Sequence, residues 1–323
     1  MAKTRVTLVG CGRTGLTIAH GIKAAMKDIE VVGHDKERDV ARLALGAKAI
    51  DREEWNLPKA CDGAALVIIA IPSGGVELTL KSIAKDVGQG GAVCIVGGSN
   101  AANLALAERH LAADVALISS NLVLHPEQVA PGALPGPGQL KNAVWSIAAR
   151  GSEEQISAFS SFVTLLGAQP VFVDPVERDG MSLSIDALPA MLDSLLMLTV
   201  SGDAAWRERG WAAGAQFAAD TAGAPRAAQF VAAMLANRPA MTHWLNQFML
   251  HCMALRDAVD EGDAAAIEKL VASAEERRDA WLSSWRKGRD TGAAPIEPQG
   301  RSMLSVFVGQ RMADKIAKRP SGR

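Results

Sequence analysis

The sequence contains no tyrosine, which excludes a tyrosine general acid. Cysteine is scarce as well. Cys11, Cys61, Cys94 and Cys252 are scattered, with no C-x-x-C pair, so a disulfide framework or a zinc knuckle is not expected, and a reducing cytoplasm fits best. The formal net charge is −1, too small to suggest a polyanion-binding surface, so no nucleic-acid partner is expected. No apolar run approaches the length of a membrane span, and MAKTRV passes straight into a strand pattern without a signal peptide. A membrane partner is therefore not expected either. Apolar residues are plentiful, at 49% of 323, which is enough for two domains with separate cores and argues against disorder.

The first half of the chain alternates in a strand–helix rhythm. Arg5 to Val9 is a short apolar run, and glycines lead from it into a helical pattern over Thr14 to Met26. Ile29 to Gly33 is the next strand, and Ala64 to Ile71 is apolar on both faces, as suits a parallel sheet covered on both sides. Ala92 to Val96, Val115 to Ile118, Ala143 to Ala148 and Val171 to Val173 supply further strands. Helices between strands imply a doubly wound α/β sheet.

Beyond Val173 the character changes to alanine, leucine, methionine and tryptophan at helical spacing. Ile185, Leu188, Leu192, Leu195 and Leu196 read as one apolar face. The expected division is a doubly wound nucleotide domain over 1–176 and an all-helical domain over 177–323. So apolar a helical half implies a long core or a subunit interface. Ala130 to Gln139 and Thr291 to Gly300 are Pro/Gly-rich loops, and Ser302 to Lys318 reads as a terminal helix docking on the chain or a partner subunit. There is no internal repeat.

Val6-Thr7-Leu8-Val9 runs into Gly10-Cys11-Gly12-Arg13-Thr14-Gly15, a strand followed by G-x-G-x-x-G and a helix. The first glycine permits the tight turn, the second admits a pyrophosphate to the backbone, and the third lets the helix pack against the sheet. The next strand ends in Asp35, whose carboxylate can accept both hydroxyls of an adenosine ribose and would repel a 2′-phosphate. NAD is therefore favoured. Lys36 and Arg38 offer cations to that phosphate, so NADP stays open.

Ligands in doubly wound sheets sit beyond the carboxyl ends of the strands, so Pro72 and Ser73 should border the dinucleotide. Ser99, after the glycine pair 97–98, has two readings that can coexist: contact with the nicotinamide or substrate, and the cap of the following helix. Leu122-Val123-Leu124-His125-Pro126 then delivers a histidine to the same edge. An alcohol dehydrogenation needs a base for the hydroxyl proton, and imidazole suits it. Position alone leaves His125 either that base or a loop residue. The remaining histidines lie in helices or beside Asp35, without a carboxylate pair that would make a metal site.

Together the GxGxxG opening, the VIIAIPS strand end, the GGSN turn and the strand-ending His-Pro resemble the prephenate and arogenate dehydrogenases of tyrosine biosynthesis. So do Leu165–Val171, the stretch Val176-Glu177-Arg178-Asp179, the pair Leu188-Pro189 and Leu235-Ala236-Asn237-Arg238. The resemblance spans nearly the whole chain. It implies a Rossmann domain, a helical domain through which two subunits pair as a homodimer, and an active site between domains. The implied reaction is oxidative decarboxylation with hydride passing to the nicotinamide. By the same resemblance His125 takes the ring-hydroxyl proton and Ser99 lies near the nicotinamide.

This chain also departs from the family's pattern. A lysine commonly follows the serine, where Ala101 stands here; the hinge usually reads His-Asp, here Arg178-Asp179. Histidines usually flank the Leu-Pro pair, here Ala187 and Ala190, and the carboxylate-clamping arginine falls near Thr221. A small-molecule carboxylate substrate needs a cation. Arg226 and Arg238, with Asn237 beside the latter, are the substrate-side candidates. Two other readings stand beside the first: another reductase on this plan, of the β-hydroxyacid dehydrogenase or imine or pyrroline-carboxylate reductase type, and a dinucleotide-binding paralogue without turnover.

Overall fold

Short segments apolar on both faces become strands here, and the one-faced segments between them become helices. The computed structural model describes residues 4–88, 90–127, 134–222 and 224–287, apart from the side chains of 224–229. It divides into two units, the first ending at Pro175 and the second beginning at Val176.

The first unit opens with β1 (Thr4–Val9), α1 (Arg13–Ala25), β2 (Ile29–His34), α2 (Arg38–Gly46), β3 (Arg52–Glu53) and α3 (Leu57–Cys61). It continues with β4 (Leu66–Ile69), a 3-10 turn at Ser73–Gly75, α4 (Val76–Ile83), β5 (Ala92–Val96) and α5 (Asn100–His110). β6 (Ala116–Val123), β7 (Val144–Arg150), α6 (Glu153–Leu165) and β8 (Gln169–Phe172) complete it. The sheet order is β3-β2-β1-β4-β5-β6-β7-β8. β1 to β6 are parallel, while β7 runs antiparallel to β6 and pairs β8 in parallel. The chain steps outward from β1 to β3 and then returns on the other side as β4. The carboxyl ends of β1 and β4 thus flank the switch point where such sheets take ligands.

Alternate residues of each strand feed two cores. Val6, Leu8, Val31 and Ile68 pack with Ile18 and Ile22 of α1, Ala44 of α2 and Phe159 of α6. Val9, Val67, Ile69, Val93 and Ile95 pack with Leu80 and Ile83 of α4 and Leu104 of α5 on the opposite face. Trp145 and Phe159 meet edge to face, with ring centroids 6.0 Å apart, inside the first core. Each such buried side chain contributes roughly 1.5–3 kcal/mol relative to exposure.

Several strand boundaries differ from the sequence reading. β4 stops at Ile69, because Pro72 has no amide to donate and the chain is already turning. β6 runs on to Val123, drawn out by antiparallel pairing in which Val123 faces Val144. Leu122 and Val123 therefore belong to the strand that carries His125. β3 was not anticipated, since a two-residue charged edge strand has no apolar run to announce it.

The second unit holds α7 (Pro175–Ser182), a π-helical turn at Leu183–Ala187, and α8 (Leu188–Ser201). α9 (Trp206–Ala212), α10 (Ala215–Asp220), α11 (Ala224–Ala236), α12 (Arg238–Glu261) and α13 (Ala264–Arg286) follow. Its core is small: Leu183, Ala187 and Met241 are buried, with Met191, Phe230 and Leu245 packed against them. The face expected over 185–196 is not a single buried stripe. The π turn shifts the register, and Ile185, Leu195 and Leu196 are exposed. The stretch Pro175–Ser201 also corrects the reading that no segment approaches a membrane span. It is a continuous helix of 27 residues that contains an 18-residue window with a mean hydropathy of 1.6, long and apolar enough by those two measures. Serines and isolated aspartates break its apolar runs without lowering the average much. The expected terminal helix 302–318, the linker 291–300 and residues 130–133 of the earlier loop lie outside the described residues.

Candidate active site

The three glycines of the β1–α1 turn play three distinct steric parts. Gly10 has φ +95°, and a Cβ there would sit 2.4 Å from the carbonyl oxygen of Ala70 at the end of β4. A Cβ on Gly15 would sit 2.0 Å from the Gly10 carbonyl oxygen, so α1 can start this close to the strand only without a side chain. A Cβ on Gly12, by contrast, would meet nothing within 4 Å. The middle position therefore opens to space where a phosphate could reach the backbone, and two flanking positions are closed by packing. Gly12 caps α1 without a side-chain bond, and no acid occupies the first turn of the helix, which leaves its first amides available to an anion. Arg13 and Thr14 are exposed beside it.

Asp35 stands at the end of β2 and is held by backbone amides. The Cys11 amide donates to one carboxylate oxygen at 2.8 Å and the Glu37 amide to the other at 2.9 Å. An ionised carboxylate offers about four acceptor sites. Two amide bonds thus orient it while leaving capacity for ribose hydroxyls. Gly33 just before it has no room for a side chain, since a Cβ would lie 2.5 Å from Ile50. The Cys11 thiol, although within the turn, is pushed up to about 12 by burial and then by the Asp35 carboxylate. It is a packing group and no nucleophile.

Pro72 and Ser73 are exposed at the end of β4, and a Cβ on Gly98 would lie 3.5 Å from the Ser73 Cβ, so the β4 and β5 turns adjoin. Gly97 and Gly98 have φ of +93° and +72°, which L side chains rarely adopt. Ser99 caps α5, its hydroxyl accepting from the Ala102 amide at 3.2 Å. Beneath this turn lies a buried polar network that sequence reasoning missed. Asn103 donates from Nδ2 to the Gly97 carbonyl at 2.8 Å and to the Ser119 hydroxyl at 3.1 Å. Ser119 in turn donates to Asn100 Oδ1 at 2.9 Å. The only available signal was two asparagines on the buried side of an otherwise apolar helix pattern.

His125 is 7% exposed, so its ring is not turned out to solvent. The Glu127 amide donates to Nδ1 at 3.2 Å. In the neutral ring that arrangement leaves the proton on Nε2. The segment beyond the histidine is tied back to the helix of the glycine turn. Thr17 donates to Gln139 Oε1 at 3.2 Å, and Leu140 fills the space over Gly21, where a Cβ would come within 2.3 Å of it. His125, Ser99, Ser73, Gly12 and Asp35 therefore all follow the carboxyl ends of parallel strands on one edge of one sheet.

The substrate-side candidates belong to the second unit. Asn237 caps α12 without a side-chain bond, and Arg238 is exposed on its first turn. Position 226 is in α11, but its side chain lies outside the described residues. A further cation, Arg178, is buried in α7 and was read from the sequence only as a departure from a motif. Among the described residues no cluster of metal-ligating side chains occurs.

No family model matches the sequence, and no curated protein matches it. Solved structures do. The chain is similar to prephenate dehydrogenase from A. aeolicus in complex with hydroxyphenyl propionate and NAD+, at 14% identity and a TM-score of 0.69, over 87% of this chain and 99% of that one. It is similar to Synechocystis arogenate dehydrogenase at 16% identity and a TM-score of 0.60, over 86% of this chain and 100% of that one. At such identities a likeness over nearly the full length of both chains establishes the architecture: this chain has the Rossmann-plus-helical fold of the prephenate and arogenate dehydrogenases.

Proposed function

We propose that the chain is an NAD-dependent dehydrogenase that oxidatively decarboxylates a cyclohexadienol acid of the prephenate or arogenate type. The observation that carries the reading is the shared edge. A glycine turn open only at its middle residue, an aspartate fixed by two amides, and a buried histidine all follow parallel strands of one sheet. The solved relatives with this fold include one holding NAD+ and hydroxyphenyl propionate, which supports both the cofactor and a carboxylate-bearing substrate.

Gly12 and the first turn of α1 hold the pyrophosphate, and Asp35 holds the adenosine ribose, favouring NAD over NADP. A bound nicotinamide would supply the acceptor for a hydride from the carbon that carries the substrate hydroxyl. His125 Nε2 takes the hydroxyl proton as that hydride leaves, and loss of carbon dioxide returns its bonding electron pair to the ring, which becomes aromatic. In the accepting tautomer Nδ1 carries the ring proton, so the long bond from the Glu127 amide is given up. Ser99 is held where its hydroxyl can orient the nicotinamide or the substrate hydroxyl. A second copy of the chain covers the exposed apolar residues of the helical unit, making a homodimer.

The test follows reduced-cofactor absorbance with prephenate and with arogenate. His125→Asn is expected to lower kcat by roughly 100-fold or more while NAD affinity changes little. Equal loss of both would make His125 a structural residue. Tight NAD binding without turnover of either acid would favour the non-catalytic reading, and turnover of an imine or simple hydroxy acid would favour the other reductases.

A further inference from the structure

We propose that Arg178 is the binding cation of a carboxylate subsite carried by the helical unit. Its side chain is only 8% exposed, yet Nη1 has no hydrogen-bond partner among the described residues. The ion nearest to it is Asp186, whose Oδ2 lies 3.8 Å from Nη2, too far for a hydrogen bond. That same oxygen already accepts from the Ser182 hydroxyl at 2.9 Å, and the Asp186 side chain is 44% exposed, so solvent screens its charge. The guanidinium is thus buried, incompletely compensated and short of acceptors. Such a group strongly destabilises a fold unless something supplies the missing acceptor.

The local backbone explains the placement. Arg178, Ser182 and Asp186 follow at intervals of four, and the π turn at Leu183–Ala187 widens the helix where the aspartate joins the other two. Glu177 and Asp179 leave α7 about 100° to either side of Arg178, on other faces. What a planar guanidinium with free donors takes best is a carboxylate, in a two-pronged contact. This inference rests on the proposed reaction for the identity of the acid, and not for the existence of the subsite. It also assigns a cation to the role that the sequence left between Arg226 and Arg238.

The experiment compares 3-(4-hydroxyphenyl)propionate with 4-ethylphenol, which is the same molecule without its carboxylate, by calorimetric titration of the full chain saturated with NAD. The wild type is expected to bind the acid at least about tenfold more tightly than the phenol. Arg178→Gln should bring the two within about twofold by removing the charged partner, and Arg178→Lys should retain part of the preference. NAD affinity, measured on each variant, should not move. Arg178→Met should raise the melting temperature of the ligand-free protein, since it removes an unsatisfied buried charge. The proposal is overturned if Arg178→Gln keeps the full preference for the acid, if the wild type has none, or if Arg178→Met melts several degrees lower. If the preference runs through Arg178 while neither prephenate nor arogenate is oxidised, the reaction falls and the subsite stands.

Discussion

Leucine, isoleucine and phenylalanine fare differently in the two units. In the sheet unit Leu8, Ile18, Ile22, Ile68, Leu80 and Phe159 are all within 1% of complete burial. In the helical unit Leu198 is 67% exposed, Leu250 56%, Val259 58% and Trp211 88%, while among the described residues only Leu183, Ala187, Ala190, Met241, Ala258, Leu282 and Trp285 are buried apolar side chains. A sheet covered on both faces closes its own core, because most residues of its central strands find a helix above or below. Helices that leave apolar side chains uncovered do not, and a partner surface of the kind proposed above would use such area. The sheet unit closes its own core, whereas the helical unit leaves many large apolar side chains exposed.

The largest expected effect breaks that contrast at its apolar face. Phe248 and Leu255 lie seven residues apart on α12 and are 38% and 40% exposed. Phe248→Glu with Leu255→Glu should bury two unpaired charges in any interface there, weakening association by about three orders of magnitude or more. Sedimentation equilibrium should show the mass falling from twice 33.9 kDa to the single-chain value. NAD affinity of the sheet unit should change by no more than about threefold, as distant sites behave independently. A wild type that sediments as a single chain would refute the dimer and leave the apolar stripes without an explanation.

A smaller effect sharpens the other side of the comparison. Asn103→Leu keeps approximate size but strips the Gly97 carbonyl and the Ser119 hydroxyl of their shared donor. The expected loss is about 1–3 kcal/mol by urea unfolding, because the orphaned groups remain buried. Ser99 sits on the turn this network pins, so kcat should fall roughly tenfold, with the sedimentation behaviour unaltered. A purely structural network would leave kcat per folded molecule untouched. Asn103→Ser, which can still donate, should recover part of the rate.

The glycine turn, Asp35 and the strand leading to His125 were legible in the sequence because each depends on local spacing along one stretch of chain. A strand, three glycines and an acid twenty residues on place themselves. Asn103 and Ser119 were not, since they sit on different elements sixteen residues apart and only the β5–β6 pairing brings them together. Arg178 was visible as a residue but not as a buried cation. Its setting depends on a π turn, which changes the register of a helix without any periodic mark. The same turn interrupts the apolar face over 185–196, which the sequence left open as core or subunit interface. The proline-ended LVLHP run, by contrast, located its histidine even though the strand boundary fell five residues too early.

The smallest effect uses the thiols as reporters of the same two surfaces. Cys11, Cys61 and Cys94 are buried in the sheet unit, and each is pushed up to about 12, by burial first and, for Cys11 and Cys61, by the neighbouring Asp35 and Asp86 carboxylates. At pH 8 about one such thiol in ten thousand is ionised, so iodoacetamide should leave all three untouched for hours. The sign follows from keeping the proton on folding. Stability is unaffected below pH 9, where the unfolded chain also keeps it, and declines only as pH rises from 9 toward 12. Cys252 is exposed on α12, four residues beyond Phe248 and three before Leu255. An association through that face would shield it. Peptide mass mapping at pH 8 should therefore find slow alkylation of Cys252 in the wild type and fast alkylation in the Phe248→Glu, Leu255→Glu variant, with no change at the other three. Equal rates in both would mean that the face bearing Cys252 is open in solution and that any dimer uses different helices.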